Sequence, residues 1–136
     1  MKTLTALIVV LCLAGVVASS LALREHYNTE SAPCDINDVW DCGVVNHSPY
    51  AVIHGVPVAL IGILGYALLA ALAGRFPVTT ALGALAGMGF ALRLTWIEWK
   101  VLGTWCIYCV ASQGTIALVF LLSLAAALLS RRKRPA

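Results

Sequence analysis

Two cysteines, Cys106 and Cys109, stand three positions apart at the head of a long apolar run, Val110 to Leu129. On a helix such a pair shares one face, so the two sulfurs can meet. A disulfide between them can then open and close without moving the fold. The start of a helix also favours a thiolate, because its unpaired N–H groups and its dipole carry positive charge. Thiolate is the form that attacks disulfides or electrophiles such as quinones. The same spacing also fits half of a zinc site, or two inert buried cysteines. Zinc needs two more Cys or His ligands, and Cys12, Cys34 and Cys42 make no second close pair. No metal is expected, and redox chemistry leads.

Such a pair has to be held by the rest of the chain, and the composition says what kind of chain that is. Its 136 residues are 61% hydrophobic and only 11% charged, with a mean hydropathy of +0.92. A soluble domain of this length has no use for so much apolar surface. A spanning helix needs about 20 apolar residues, and four runs meet or approach that length, at about 4–23, 52–73, 78–96 and 105–129. The expected fold is all-α: one integral membrane domain over 1–136, a four-helix bundle with an exterior cysteine-bearing loop at 24–51. The first run has a rival reading as a signal peptide, with small residues Ala18-Ser19-Ser20 near a possible cut. Its apolar core is longer than a signal segment needs, which favours a retained span. Cys12 lies inside that span and is expected to pack there.

The net charge of +3 does not point to nucleic acid, because four of the nine basic residues form one cluster, Arg131-Arg132-Lys133-Arg134, just after the last run. That is a cytoplasmic anchor. With Lys2 and Arg75, six basic residues fall inside against three outside, Arg24, Arg93 and Lys100. The bias places both termini in the cytoplasm. The acidic residues Glu25, Glu30, Asp35, Asp38, Asp41 and Glu98 all fall on the exterior side. So do Cys34, Cys42, Cys106 and Cys109, in an oxidising compartment. Four cysteines on one face read as two exchangeable pairs, or as fixed staples of the loop. The loop itself is expected to be irregular, with a short helix near 36–40.

Further candidates are less specific. His47 and His54 lie near the exterior end of the second run, where either can be an interfacial group or move a proton near the thiols. Gly83 and Gly87 form a G-x-x-x-G helix-contact motif. Arg93, Trp96, Trp99, Lys100 and Trp105 mark the exterior membrane interface.

Taken together, Cys34-x7-Cys42 in the first exterior loop, Ser48 shortly after it, Cys106-Ile-Tyr-Cys109 entering the last helix and the four-run layout resemble the vitamin K epoxide reductase family, and its bacterial homologues in particular. The resemblance covers nearly the whole chain. In the other quinone-linked thiol oxidases of bacterial membranes the two cysteine pairs come in the reverse order. The resemblance implies that Cys106 and Cys109 are the active-site pair, with Cys109 next to the quinone. Cys34 and Cys42 would be a shuttle pair, Cys34 meeting the partner and Cys42 reaching Cys106. Ser48 would lie near the quinone pocket. Two departures from the animal enzymes point away from vitamin K epoxide and toward a respiratory quinone, ubiquinone or menaquinone. Gln113 stands where they have a tyrosine, and the second run carries no asparagine.

A lipid-soluble quinone would be met inside the bundle in a mostly apolar pocket, for which Phe90, Trp96, Tyr50 and Gln113 are candidate lining residues. The function expected is a membrane thiol oxidoreductase that oxidises a periplasmic or extracellular thioredoxin-like protein and supports disulfide formation. It would sit in a bacterial inner membrane with its active site toward the periplasm or exterior. The alternatives are a reductase of vitamin K quinone or its epoxide, and a non-enzymatic membrane protein with a stapled loop. The scarcity of intramembrane polar residues counts against a transport pathway.

Overall fold

The structure is a computed structural model and describes residues 2–28 and 35–133. Helix α1 (Lys2–Tyr27) leads to a short helix α2 (Cys42–His47), a 3-10 turn (Pro49–Ala51) and a two-stranded hairpin, β1 (Val52–Ile53) and β2 (Val56–Pro57). Then come α3 (Val58–Leu72), α4 (Pro77–Trp96), a π-helical turn (Ile97–Leu102) and α5 (Ile107–Lys133). The fold is all-α in substance, with four long helices. Three stretches, Lys2–Tyr27, Pro77–Leu102 and Ile107–Arg132, are long and apolar enough to cross a membrane; α3 is apolar but shorter. The chain is a multi-pass membrane protein.

The second span is shorter than the hydropathy of 52–73 suggests, because its first six residues form the hairpin. His54 and Gly55 have φ of 51° and 81°, and Ile53 pairs with Val56 across them. Two left-handed residues are what a tight two-residue hairpin turn demands. Pro57 has no N–H to offer a preceding turn, and it biases Val56 toward extended backbone. The helix therefore starts at Val58. The short helix expected at 36–40 is also displaced. There the Asn37 side chain accepts the N–H groups of Val39 and Trp40 (2.8 and 3.0 Å), which closes a turn rather than a helix. Helix begins at Cys42 instead, capped by Asp41, whose Oδ1 accepts the Val44 N–H at 3.1 Å.

Helix α1 packs against α3 and α5, and α4 packs against α5, whereas α3 and α4 meet only loosely. The core runs through Ile8, Cys12, Tyr66, Leu69, Ala84, Ile116 and Val119, and Cys12 is a buried packing residue within it. Lipid is as apolar as these side chains, so close fit rather than expulsion from water holds such helices together. Gly83 lies against Leu69 of α3 and Gly87 against Ile116 of α5, so the G-x-x-x-G motif serves two neighbours. The tightest place is Gly15, where any added Cβ would run into the Tyr66 ring. Gly15→Ala should therefore lower the melting temperature, at a cost of about 1–3 kcal/mol from overpacking. Gly89→Ala, with open space around it, should be neutral or mildly stabilising, since alanine is the better helix former. Thermal unfolding of the two variants side by side checks this; equal melting temperatures would remove Gly15 from the packing argument.

Candidate functional site

The N-terminal end of α5 is built by the cysteine just before it. Cys106 immediately precedes the helix, and its Sγ accepts the Cys109 N–H at 3.4 Å while its carbonyl accepts the Val110 N–H. A side chain that accepts from the third helical residue is acting as an N-cap, here with sulfur in place of oxygen. Cys109 sits in the first turn. Both thiols are free, and Cys106 is fully buried.

The loop carrying Cys42 is fastened to this helix start by backbone. Trp105 N–H donates to Val39 O at 2.7 Å, and Asp41 N–H donates to Trp105 O at 2.9 Å. Trp40 and Trp105 thus form a parallel bridge. Thr104 Oγ1 adds a longer bond to Asp38 O, 3.3 Å. The clamp brings Cys42, also fully buried, into one packed cluster with Cys106, and Val45 and Cys109 border it. Cys42 is in a disulfide; Cys34 lies outside the described residues.

Asn46 ties the cluster together. It is one helical turn beyond Cys42, buried, and its Nδ2 reaches both Cys42 O (2.8 Å) and Cys106 Sγ (3.4 Å). Its backbone carbonyl accepts from His26 Nδ1 of α1 at 2.7 Å. Beside it stands Glu98, 3% exposed, whose Oε2 accepts the Cys106 N–H at 3.3 Å and which shares both cavity walls with Cys109. The π-helical turn aims it inward and closes on Gly103, whose φ of 67° is a left-handed helix ending.

These contacts favour the Cys106 thiolate. The Cys109 thiol is the largest cause; burial opposes it; the Cys109 N–H, the Asn46 amide and the Tyr108 N–H add to it. Together they lower the thiol from 9.0 to about 7. About half of Cys106 is then thiolate near neutrality, the fraction falling as pH drops. Asn46→Ala should move that midpoint upward by about one unit, the scale of one hydrogen bond to a charged group. The pH dependence of Cys106 alkylation by a small uncharged reagent measures this. An unchanged midpoint would mean that the amide does not act on the sulfur.

Behind Cys109 a cavity of about 370 Å³ opens where α3 and α4 fail to close. Its wall is mostly apolar, with Phe90, Leu94, Leu69 and Ile116, and small where Gly62, Gly65, Gly83 and Gly87 meet it. Its polar groups include Cys109, Glu98, Asn46, Thr95 and Tyr66. The Tyr66 hydroxyl bonds to the Ser112 carbonyl and hydroxyl at 2.8 and 2.9 Å. Volume and lining fit a small organic ligand site. A much smaller recess beside it is lined by Ser48 and Tyr50, and both cavities share Cys109, Asn46 and Glu98.

Of the residues singled out in the sequence, Cys106, Cys109 and Cys42 come together, and Phe90 lines the larger cavity. Ser48 and Tyr50 line only the recess; Ser48 Oγ donates to Val45 O at the end of α2. Gln113 lines neither cavity, and its Oε1 accepts from Thr95 at 3.0 Å. Trp96 is exposed and outside both, as are His47 and His54. Sequence reasoning passed over Asn46 and used Glu98 only as a charge count. Asn46 stands four residues after Cys42, a spacing that carries meaning only once a helix is placed there.

A multi-pass helical bundle with a half-buried dithiol packed against a disulfide cysteine, beside an apolar cavity, is a membrane thiol redox protein. The model of the vitamin K epoxide reductase family matches residues 6–124, and the chain belongs to that family. A comparison with curated proteins finds no match. Family membership makes the protein a redox enzyme and implies a quinone as its cofactor.

Proposed function

We propose that the protein passes electrons from an exterior dithiol protein through Cys34 and Cys42, then Cys106 and Cys109, to a quinone in the cavity between α3 and α4. The reading rests above all on the unbroken line of Cys42, Cys106, Cys109 and cavity wall. Both termini lie in the cytoplasm in this proposal, and the whole chain is one domain of four spans. The thioredoxin-like partner reduces the Cys34–Cys42 disulfide by thiol–disulfide exchange. The Cys42 thiolate attacks Cys106 of the Cys106–Cys109 disulfide and releases Cys109. Cys34 then attacks Cys42, re-forming the shuttle disulfide and leaving Cys106 and Cys109 as thiols. The free pair beside a disulfide-bonded Cys42 corresponds to this stage.

A bound quinone accepts two electrons and two protons as the Cys106–Cys109 disulfide re-forms. The chain's part is to hold Cys109 at the cavity wall, keep Cys106 reactive and exclude bulk water. Phe90 offers an apolar face there, and Asn46 and Tyr66 supply polar contacts.

The second reading, reduction of a vitamin K-type quinone or its epoxide, is favoured by the family that the chain matches. It uses the same thiols and the same cavity. Mixing the fully reduced protein with a ubiquinone, a menaquinone and a vitamin K epoxide in turn separates the two. Loss of the quinone spectrum in step with disulfide formation is expected with the first two. Turnover of the epoxide alone would select the second reading, and no reaction with any of them would overturn both.

A further inference from the structure

The path above moves protons as well as electrons, and none of the three histidines lines a cavity: His26 is engaged with the Asn46 backbone carbonyl. His47 and His54 are exposed and line neither cavity. Glu98 is placed differently. It is 3% exposed, its Oε2 accepts the Cys106 N–H, and it stands with Cys109 in the walls of both cavities. Among the described residues no lysine, arginine or histidine lines either cavity. A buried carboxyl without a cationic partner is costly as a fixed charge, and is therefore suited to exchanging a proton with its neighbour. The π-helical turn that aims it inward is an uncommon local structure of the kind that gathers at functional sites.

We propose that the Glu98 carboxyl group carries the proton of the Cys109 sulfur, accepting it when Cys109 enters a disulfide and returning it when that bond breaks. The inference builds on the proposed electron path. In the oxidising direction the S–H bond of Cys109 breaks as the Cys106–Cys109 bond forms. Its proton moves to the carboxylate, and the electron pair leaves to the quinone. In the reducing direction a thiolate attacks Cys106, the Cys106–Cys109 bond breaks, and the departing Cys109 sulfur takes the proton from Glu98. The titratable groups facing Glu98 are Cys106, Cys109 and Tyr108 from the α5 end, Tyr66 from α3, and Tyr50 from the recess; Asn46 of α2 faces it as a neutral amide.

The test begins without quinone. The oxidised full-length protein in detergent is reduced by dithiothreitol, and the appearance of the Cys109 thiol is followed by rapid quenching and mass tagging. Glu98→Gln keeps an oxygen for the Cys106 N–H but holds no transferable proton. It should slow Cys109 release on the order of a hundredfold at acidic pH, the lower end of general acid–base catalysis. The ratio of wild-type to variant rate should fall toward one as pH rises and the Glu98 carboxyl loses its proton. Glu98→Asp should recover part of the rate and all of the pH dependence, and it decides the case if the glutamine variant unfolds. A ratio that stays constant with pH, as a purely structural role would give, overturns the proposal, as does a wild-type rate in Glu98→Gln. Repeating the experiment with a short-chain quinone as oxidant should reverse the trend, the wild-type advantage growing with pH. A pH-dependent dithiothreitol ratio with no quinone turnover would leave Glu98 in place and remove the quinone path.

Discussion

Cys109→Ser should abolish quinone reduction and trap the protein as a Cys42–Cys106 mixed disulfide. Without its partner, the Cys106 thiolate still faces Cys42 inside one buried cluster, and it attacks the shuttle disulfide. Cys42 joins Cys106 and Cys34 is set free. With Cys109 gone only the freed Cys34 can reopen the bond, so once an alkylating reagent caps Cys34 the mixed disulfide accumulates and migrates differently on a non-reducing gel. Turnover should fall by roughly 10³-fold or more, as when a nucleophile is deleted. Cys106→Ser should be equally inactive for a different reason. It leaves Cys109 permanently free at the cavity wall, where a thiolate beside an electron-poor ring gives charge-transfer absorption. Cys106→Ser mixed with quinone should therefore be coloured, and Cys109→Ser colourless. Colour in the opposite variant would exchange the roles of the two cysteines. Activity surviving either change would take the dithiol out of the chemistry.

Cys34→Ala should separate a protein reductant from a small one. A thioredoxin-like partner needs a cysteine it can attack and leave, and the resemblance to the family gives that role to Cys34. Oxidation of the partner should drop to background, again roughly 10³-fold. Dithiothreitol is small enough to reach Cys106 and Cys109 directly, and its oxidation should continue at a comparable rate. Parallel assays with the two reductants measure this. Partner oxidation at the normal rate in Cys34→Ala would mean that electrons arrive by another route.

The cysteines, the all-α class and the long apolar helices were legible in the sequence because each leaves a local mark. Apolar runs bury themselves in lipid whatever their neighbours, and a C-x-x-C before such a run sits at a helix start by necessity. The second span was harder. Its apolar run continues unbroken through Val52 to Val58, and only the backbone demands of His54, Gly55 and Pro57 divide hairpin from helix. Asn46 and Glu98 leave no local mark at all. Their meaning comes from a contact between α2 and the start of α5 across 60 positions of chain and from a π-helical turn, neither of which hydropathy encodes. Gln113 illustrates the converse: it lies one turn past Cys109 in α5, but its side chain accepts from Thr95 and lines neither cavity.

The clamp between the loop and the start of α5 has a consequence for time rather than for place. Its two short bonds are made by the amides of Trp105 and Asp41, so both should exchange with heavy water only when loop and helix start part company. Those two hydrogens are a clock for the opening of the face that carries the cysteines. If the clock runs slower than turnover, the disulfide relay completes its cycles with the face shut, and the partner must do its work on whatever part of the loop lies beyond Asp41. If it runs at the turnover rate, opening is itself the slow step, and Thr104→Ala, which removes the clamp's side-chain bond to the Asp38 carbonyl, would speed the enzyme while loosening it.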